Sequence, residues 1–309
     1  MNKLKKARFF VTGATGYIGS FLTKRLVEEG CRVSVLVRPS SNTCLLETIL
    51  NKIDVHVYDG TYESIELSIN SSRPDIVFHL SSFASIKYQS NDIHNMINSN
   101  ILLGTFLAEA MAKHQVKHLV NTSSYSQHYN QKPYLPNSLY AATKQAFEDI
   151  LLYYSRVWLI NVVHLVLFDN FGPKDPRPKI MNLLYRAMTE GKTLSMSPGE
   201  QYLDLLYIDD LIEAYLVAAT RLLANETQGV ERFTVSSGQH IKLKELVHLF
   251  EHISGGTIPV KWGELDYRPG EIMVPWTKGI SLPAWKQRTS LEAGIRLLIG
   301  ENRVSNQID

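Results

Sequence analysis

The 309-residue chain predicts an α/β fold, a doubly wound parallel sheet with a smaller C-terminal substrate-binding lobe. Three observations carry this expectation. Short, uniformly apolar runs alternate with helical patterns through the first half, as strands do when helices cover both faces of a parallel sheet. A glycine-rich turn, Gly13-Ala14-Thr15-Gly16-Tyr17-Ile18-Gly19, follows the first of those runs and opens a helix. From Gly172 the texture changes, because Gly172-Pro173-Lys174-Asp175-Pro176-Arg177-Pro178 cannot propagate helix or sheet.

Element by element, strands are expected at 8–12, 32–37, 54–58, 76–80, 118–121 and 161–168, with helices at 17–29, 98–114 and 140–154 between them. Residues 1–170 then form a Rossmann-like dinucleotide-binding domain. A helix is expected near 180–190, and 203–208 leads into a helix from Asp209. The strand at 232–235 rejoins the sheet, so that about 203–236 returns to the first domain. Residues 171–202 and 237–309 make the lobe, broken by Pro259, Pro269, Pro275 and Pro283.

Composition excludes several classes. With 44% apolar and 20% charged residues the chain is neither disordered nor fibrous. A net charge of +2, with Lys and Arg scattered, excludes a nucleic-acid partner of the usual basic kind. No run approaches the roughly 18 apolar residues of a spanning helix, so membrane insertion is not expected. Met1-Asn2-Lys3-Leu4-Lys5-Lys6-Ala7-Arg8 starts like a secretion signal, but the apolar run after it dissolves into Gly-Ala-Thr-Gly. It reads instead as a solvated tail before the first strand. Cys31 and Cys44 give no disulfide framework and no metal spacing. A cytoplasmic enzyme without a metal is the expectation.

The glycine turn is suited to a dinucleotide pyrophosphate. Gly13, Gly16 and Gly19 remove side chains that would obstruct the turn, the phosphate approach and the helix–strand contact. Thr15, Tyr17 and Ile18 complete the loop, whose N–H groups and helix dipole face the anion. Where the second strand ends, an NAD site usually carries an acid for the ribose hydroxyls. This chain has Arg38, Ser40 and Ser41, a cation and two hydroxyls that suit a 2′-phosphate. NADPH is therefore expected, with NAD the alternative. Asp59 and Gly60 after the third strand are placed for the adenine, and Leu80, Ser81 and Ser82 after the fourth pass beside ribose and nicotinamide.

A second motif supplies chemistry. Tyr140 and Lys144 stand at i and i+4, one above the other on a helix face. A free phenol has a pKa of about 10, and a neighbouring ammonium favours the phenolate. Tyr140 can then exchange a proton with an alcohol or sugar oxygen near neutral pH, while Lys144 also holds the nicotinamide ribose. Thr122, Ser123 and Ser124 all offer a hydroxyl upstream; counting from the strand start favours Ser124, with Thr122 facing the cofactor.

On these residues the chain resembles the extended short-chain dehydrogenase/reductases, in their nucleotide-sugar epimerase, dehydratase and reductase branch. The likeness continues through Pro74-Asp75-Ile76-Val77-Phe78-His79-Leu80, Asn100 with Gly104-Thr105, Phe171-Gly172-Pro173, Leu205-Leu206-Tyr207-Ile208-Asp209-Asp210, Arg268-Pro269-Gly270-Glu271 and Trp285-Lys286. It implies a homodimer binding a nucleoside diphosphate sugar. Asn100 then belongs with the cofactor site and Arg268 with the nucleotide. Arg177 and Lys179 are candidates for the diphosphate. The family's usual Asn before Gly-Pro is represented by Asp169, or by Asn170 if the register slips.

Departures narrow the reaction. The family's 4,6-dehydratases carry Asp-Glu after the catalytic hydroxyl, whereas Ser124 is followed by Tyr125-Ser126, which cannot supply that acid–base pair. Double epimerase-reductases need a further Cys and His, and both cysteines lie in the cofactor half. Gln127-His128-Tyr129, Asn137-Ser138-Leu139-Tyr140 and the Arg-Pro-Gly-Glu-Ile-Met segment resemble the CDP-abequose and CDP-paratose synthases, with His128 over the sugar. That resemblance implies NADPH-dependent reduction of a CDP- or dTDP-linked 4-keto-6-deoxy or 3,6-dideoxy sugar, for O-antigen and lipopolysaccharide. An NAD-dependent 4-epimerase is the alternative, and a non-enzymatic dinucleotide sensor a remote one. Phe147, Ile150, Leu151 and Tyr154 belong either to the subunit core or to a dimer helix bundle.

Overall fold

The structure, a computed structural model, describes residues 4–85 and 88–305. The first three residues of the N-terminal tail and the last four of the 237–309 segment lie outside the described residues.

The first half alternates strands β1 Arg8–Thr12, β2 Arg32–Val37, β3 Asp54–Val57, β4 Ile76–His79, β5 His118–Ser124 and β6 Asn161–Leu167 with helices α1 Tyr17–Glu28, α2 Tyr62–Ser72, α3 Ser90–Ile97, α4 Leu103–Lys113 and α5 Leu139–Trp158. A π-turn, Asn98–Leu102, joins α3 to α4. Beyond it run β7 Asp169–Phe171, α6 Ile180–Glu190, β8 Leu194–Met196, β9 Tyr202–Tyr207, α7 Ile208–Leu223, β10 Val230–Val235, β11 His240–Lys242, α8 Leu243–Ser254, β12 Val260–Trp262 and α9 Leu291–Ser305.

Seven strands form the main sheet in the order β10-β6-β5-β4-β1-β2-β3, every neighbour parallel. The doubly wound α/β class read from the sequence is therefore the fold. The chain winds outward from β1 to β3, then returns to β4 on the other side of β1. That reversal opens a crevice at the carboxyl ends of β1 and β4, where such sheets bind ligands. One core cluster, with Phe9, Phe78 and Tyr215, lies on the face covered by α1 and α7; the other, with Phe10, Val77, Leu107, Phe147 and Leu151, lies under α2, α4 and α5.

Several elements differ from expectation. Of the segment 203–236, β10 pairs with β6 in the main sheet, whereas β9 pairs with β7 and β11 in a separate three-stranded sheet. β5 runs on to Ser124 because β6 pairs with it as far as Leu167. α2 has no counterpart in the expected helices. It forms because Thr61 accepts from the Ser64 N–H at its start, and because Ile65 and Ile69, one turn apart, are buried. In the tail, Leu4 is buried and its carbonyl accepts from Cys31 Sγ. Phe147, Leu151 and Tyr154 are buried in the subunit's own core, with Ile150 packed against it.

Candidate active site

Two clefts open beyond the carboxyl end of the sheet. The first, of about 540 Å³, is lined by Gly13, Thr15 and Gly16 of the glycine turn, Arg38 and Ser41 after β2, Gly60 after β3, and Leu80, Ser81 and Ser82 after β4. The turn is shaped by what its glycines lack. Gly13 has φ +73°, and a Cβ on it would lie 2.6 Å from the Ser81 nitrogen; a Cβ on Gly19 would fall on the Gly13 carbonyl. Gly16 is the N-cap of α1 and provides no side-chain cap, so the first N–H groups of the helix face the cleft without a side-chain acceptor. This is a cradle for a pyrophosphate, and the residues present fit a dinucleotide.

Other residues of the expected cofactor set lie elsewhere. Ser40 is not a lining residue, although Ser41 Oγ accepts from the Arg38 N–H at 3.0 Å and shapes the turn. Asp59 accepts from Thr61 N–H and Oγ–H at 2.9 and 2.6 Å, which holds its carboxyl below the usual range; its neighbours Tyr58 and Gly60 line the cleft. Tyr17 turns its ring away, under the Arg177 guanidinium at 4.6 Å. Ile18 packs on the core. Thr122 bonds Tyr215 Oη at 2.7 Å, on the α7 side of the sheet. Asn100 is buried and its amide is fully engaged. It accepts from Ser82 Oγ and Phe83 N–H at 3.1 and 2.7 Å and donates to the Phe83 carbonyl and Thr143 Oγ1 at 3.2 and 2.9 Å. It therefore fixes the Ser82–Phe83 turn against α5, one residue before Lys144.

Tyr140 stands between the clefts. Its phenol is hydrogen-bonded to Ser82, which lines the first, and to Ser124, whose successors Tyr125 and Ser126 line the second. Of the three upstream hydroxyls only Ser124 bonds Tyr140, since Ser123 Oγ donates to Glu148 Oε1 at 2.5 Å. Burial pushes the Tyr140 phenol up, and the two serine hydroxyls pull it partly back. This departs from the expectation of a phenolate favoured by the neighbouring ammonium. Lys144 is buried, and no hydrogen bond or ion pair among the described residues engages its ammonium; desolvation lowers its pKa to about 8. His79 and His164, both buried close to it, are pushed down to about 3 and stay neutral.

The second cleft, of about 300 Å³, carries Asp169, Asn170, Lys179 and Arg268 on its wall. Tyr125 Oη donates to Asp169 Oδ2 at 3.1 Å and its ring stacks on Phe168; burial, and then the neighbouring Asp169 charge, hold its phenol well above the ordinary value. Lys179 pairs with the other oxygen of Asp169 at 3.2 Å. Arg268 meets Glu271 in a bidentate pair at 2.7 and 2.9 Å. Arg177 is not a lining residue: buried Asp175 takes it at 2.7 Å through both oxygens, and Asn170 Oδ1 at 2.8 Å. His128 lies outside both clefts, its Nδ1 on the Pro133 carbonyl at 2.6 Å and its ring stacked on Trp276 at 3.6 Å.

Three contacts are not read from the sequence, although Gln127 and Asp169 fall in segments it singles out. Gln127 Oε1 accepts from the Ser124 N–H, the Tyr125–Asp169 pair spans 44 positions, and Gln201 lines the second cleft. The chain thus brings together a glycine cradle that fits a dinucleotide, a tyrosine with a buried lysine one helical turn on, and an adjoining cleft with cations on its wall.

The profile of the NAD dependent epimerase/dehydratase family matches residues 9–230, and the chain belongs to that family. CDP-abequose synthase of Yersinia pseudotuberculosis is 30% identical over 271 residues, covering 87% of this chain and 91% of the relative. CDP-abequose synthase of Salmonella muenchen is 25% identical over 94% of this chain and 97% of its own. Among solved structures, UDP-glucose 4-epimerase of Thermotoga maritima with UDP-glucose superposes with TM-score 0.84 at 23% identity, covering 96% and 99% of the two chains. The Thermus thermophilus UDP-glucose 4-epimerase complex with NAD gives 0.82 at 24% over the same shares. These last two show the shared fold. Among the described residues no helix is long and apolar enough to cross a membrane.

Proposed function

We propose that the enzyme reduces the 4-ketone of a nucleotide-linked deoxysugar, a CDP- or dTDP-4-keto-6-deoxy or 3,6-dideoxy hexose, with NADPH. The observation that carries this reading is the Tyr140 phenol, placed between the clefts beside Ser82 and Ser124 and pushed towards its protonated form by desolvation. A ketone reduction asks for a proton donor at the start; an epimerase cycle begins with removal of a hydroxyl proton and asks for the base form. The residue after Ser124 adds to this. Tyr125 has its own phenol committed to Asp169 and provides no acid–base pair for elimination.

The first cleft, through Gly13, Gly16 and Arg38, would hold NADPH, whose chemistry when bound is donation of a hydride to the sugar C4. Tyr140 gives its proton to the developing O4 alkoxide, and Ser124 donates a hydrogen bond to the same oxygen. Lys144, buried and without a partner among the described residues, has its ammonium available for the ribose hydroxyls, and its charge stabilises the phenolate left behind. Arg38, with Ser41 beside it, meets the 2′-phosphate. Lys179 and Arg268 face the diphosphate.

We also propose a homodimer, because Leu152, Tyr153, Val157 and Trp158 of α5 turn apolar surface outward; light scattering at twice the subunit mass checks it. For the reaction, NADPH oxidation is followed by absorbance with 4-keto-6-deoxy and 4-keto-3,6-dideoxy sugars on CDP, dTDP and GDP. Turnover with NADPH supports the reading. No turnover across the panel, with NAD retained by the purified protein and 4-epimers formed, favours the epimerase, the function of the Thermotoga and Thermus relatives.

A further inference from the structure

Between β12 and α9 the chain forms no helix and no strand, yet this stretch supplies Arg268 through Ile272 to the wall of the second cleft. Its position must come from tertiary contacts. Several of them are made by the loop that runs from Ser124 to Tyr140. That loop is folded as a unit: the Leu135 N–H donates to the Gln127 carbonyl at 2.9 Å, the Tyr129 N–H to the Leu135 carbonyl at 2.9 Å, and the Asn137 N–H to the Ser126 carbonyl at 3.1 Å. At its base Asn137 Nδ2 donates to the Gly270 carbonyl at 3.1 Å, and beside its first turn His128 stacks on Trp276.

At the tip, Gln131 spends its whole amide on the same stretch. Its Nε2 donates to the carbonyls of Val274 and Pro275 at 3.2 and 2.7 Å, and its Oε1 accepts from Thr277 N–H and Oγ–H at 2.9 and 3.1 Å. Carbonyls only accept and a backbone N–H only donates, so the way the amide faces is fixed. The backbone here is one that a side chain disfavours. Asn130 and Gln131 have φ +52° and +59°, and of the two only Asn visits that left-handed region with any ease. Gln131 is partly buried and lines neither cleft. A glycine would close the turn more readily, so the glutamine is explained by what its amide holds.

We infer that Gln131 is a positioning residue: it clamps the stretch that carries Arg268 onto the loop that carries Ser124, and so sets the spacing between the anionic and the reacting ends of the substrate cleft. This rests on the proposed nucleotide-sugar substrate, whose diphosphate faces Arg268. A substrate gripped at both ends reacts only where the two grips are in register. At the reacting end the loop is already tied to Ser124 through Gln127; Gln131 ties its other side to the cation-bearing wall.

The test is a double-mutant cycle read by binding, so no turnover is required. CDP, UDP and dTDP are titrated calorimetrically into the whole protein saturated with NADP. Gln131→Gly removes the amide and leaves a residue that accepts the left-handed backbone; Arg268→Gln removes the charge. Gln131→Gly is expected to weaken the tightest-binding diphosphate about tenfold in the wild-type background, and less than about twofold in Arg268→Gln, where the clamp has no charge left to place. NADP affinity should be the same in all four proteins, which a general loss of structure would not allow. Equal losses in both backgrounds overturn the inference and leave the substrate reading standing. So does a Gln131→Gly or Arg268→Gln variant that binds the diphosphate as wild type does, or a Gln131→Gly variant that loses NADP affinity. A wild type that binds none of the three diphosphates removes the nucleotide-sugar reading and this inference with it.

Discussion

The backbone N–H of Ser124 donates to the side-chain carbonyl of Gln127 at 3.0 Å. Gln127 keeps that position because its Nε2 donates at 3.0 Å both to Glu148 and to Gln145 on α5. Ser124 is thus tied to the helix that carries Tyr140 and Lys144. Removing the tie should displace the hydroxyl without emptying either cleft. Gln127→Ala is expected to lower kcat by up to about 100-fold with KM for the keto-sugar little changed; steady-state kinetics separates the two.

Glu148 is buried, and its second oxygen pairs with Arg232 of β10. Replacing one partner of a buried pair strands the other. Glu148→Gln should therefore destabilise the fold by about 3–5 kcal/mol, seen as a lower urea midpoint with an unchanged slope.

Lys144 makes an opposite prediction for stability. Its folded pKa of about 8 lies below the unfolded value of 10.5. Between these values the unfolded chain binds more protons, so stability rises with pH through that window. Below pH 8 the buried ammonium costs about 3 kcal/mol. Lys144→Met should unfold at higher urea than wild type at pH 7, and the gain should shrink towards pH 10.5 even as activity is lost. A lower midpoint for the variant at pH 7 would contradict the burial argument.

Arg38 is a partner for a 2′-phosphate that NADH lacks. Arg38→Ala is expected to lower kcat/KM with NADPH by about 10- to 100-fold, the worth of one or two charge-assisted hydrogen bonds, and to leave NADH nearly unchanged. An equal loss with both cofactors would remove Arg38 from the 2′-phosphate.

What the sequence disclosed follows from where the information is local. The apolar runs of β1, β2 and β4 stand out because both faces of those strands are buried, and the glycine turn because the close approach of Leu80 and Ser81 admits no side chain at Gly13. The i, i+4 spacing of Tyr140 and Lys144 is likewise a property of one helix. α2 was hidden because Ser64, Ser68, Ser71 and Ser72 dilute its apolar face, while Ser68 and Ser72 bond carbonyls one turn back. The apolar residues of β9 do not say which sheet they join. Tyr125 with Asp169 is a product of tertiary packing between distant segments, and no spacing announces it. The raised Tyr140 pKa has the same origin, since burial is a property of the assembled site.

The proposed reaction is net hydride delivery to a sugar ketone with Tyr140 as the acid. It is tested most directly with NADPH deuterated at both C4 positions of the dihydronicotinamide and a CDP-linked 4-keto-3,6-dideoxy sugar. One deuterium at sugar C4 is expected for each NADP released, with a fall in rate of at least about 100-fold in Tyr140→Phe. Cofactor recovered in its starting redox state beside an epimerised sugar, or deuterium transfer at an undiminished rate in Tyr140→Phe, would contradict it.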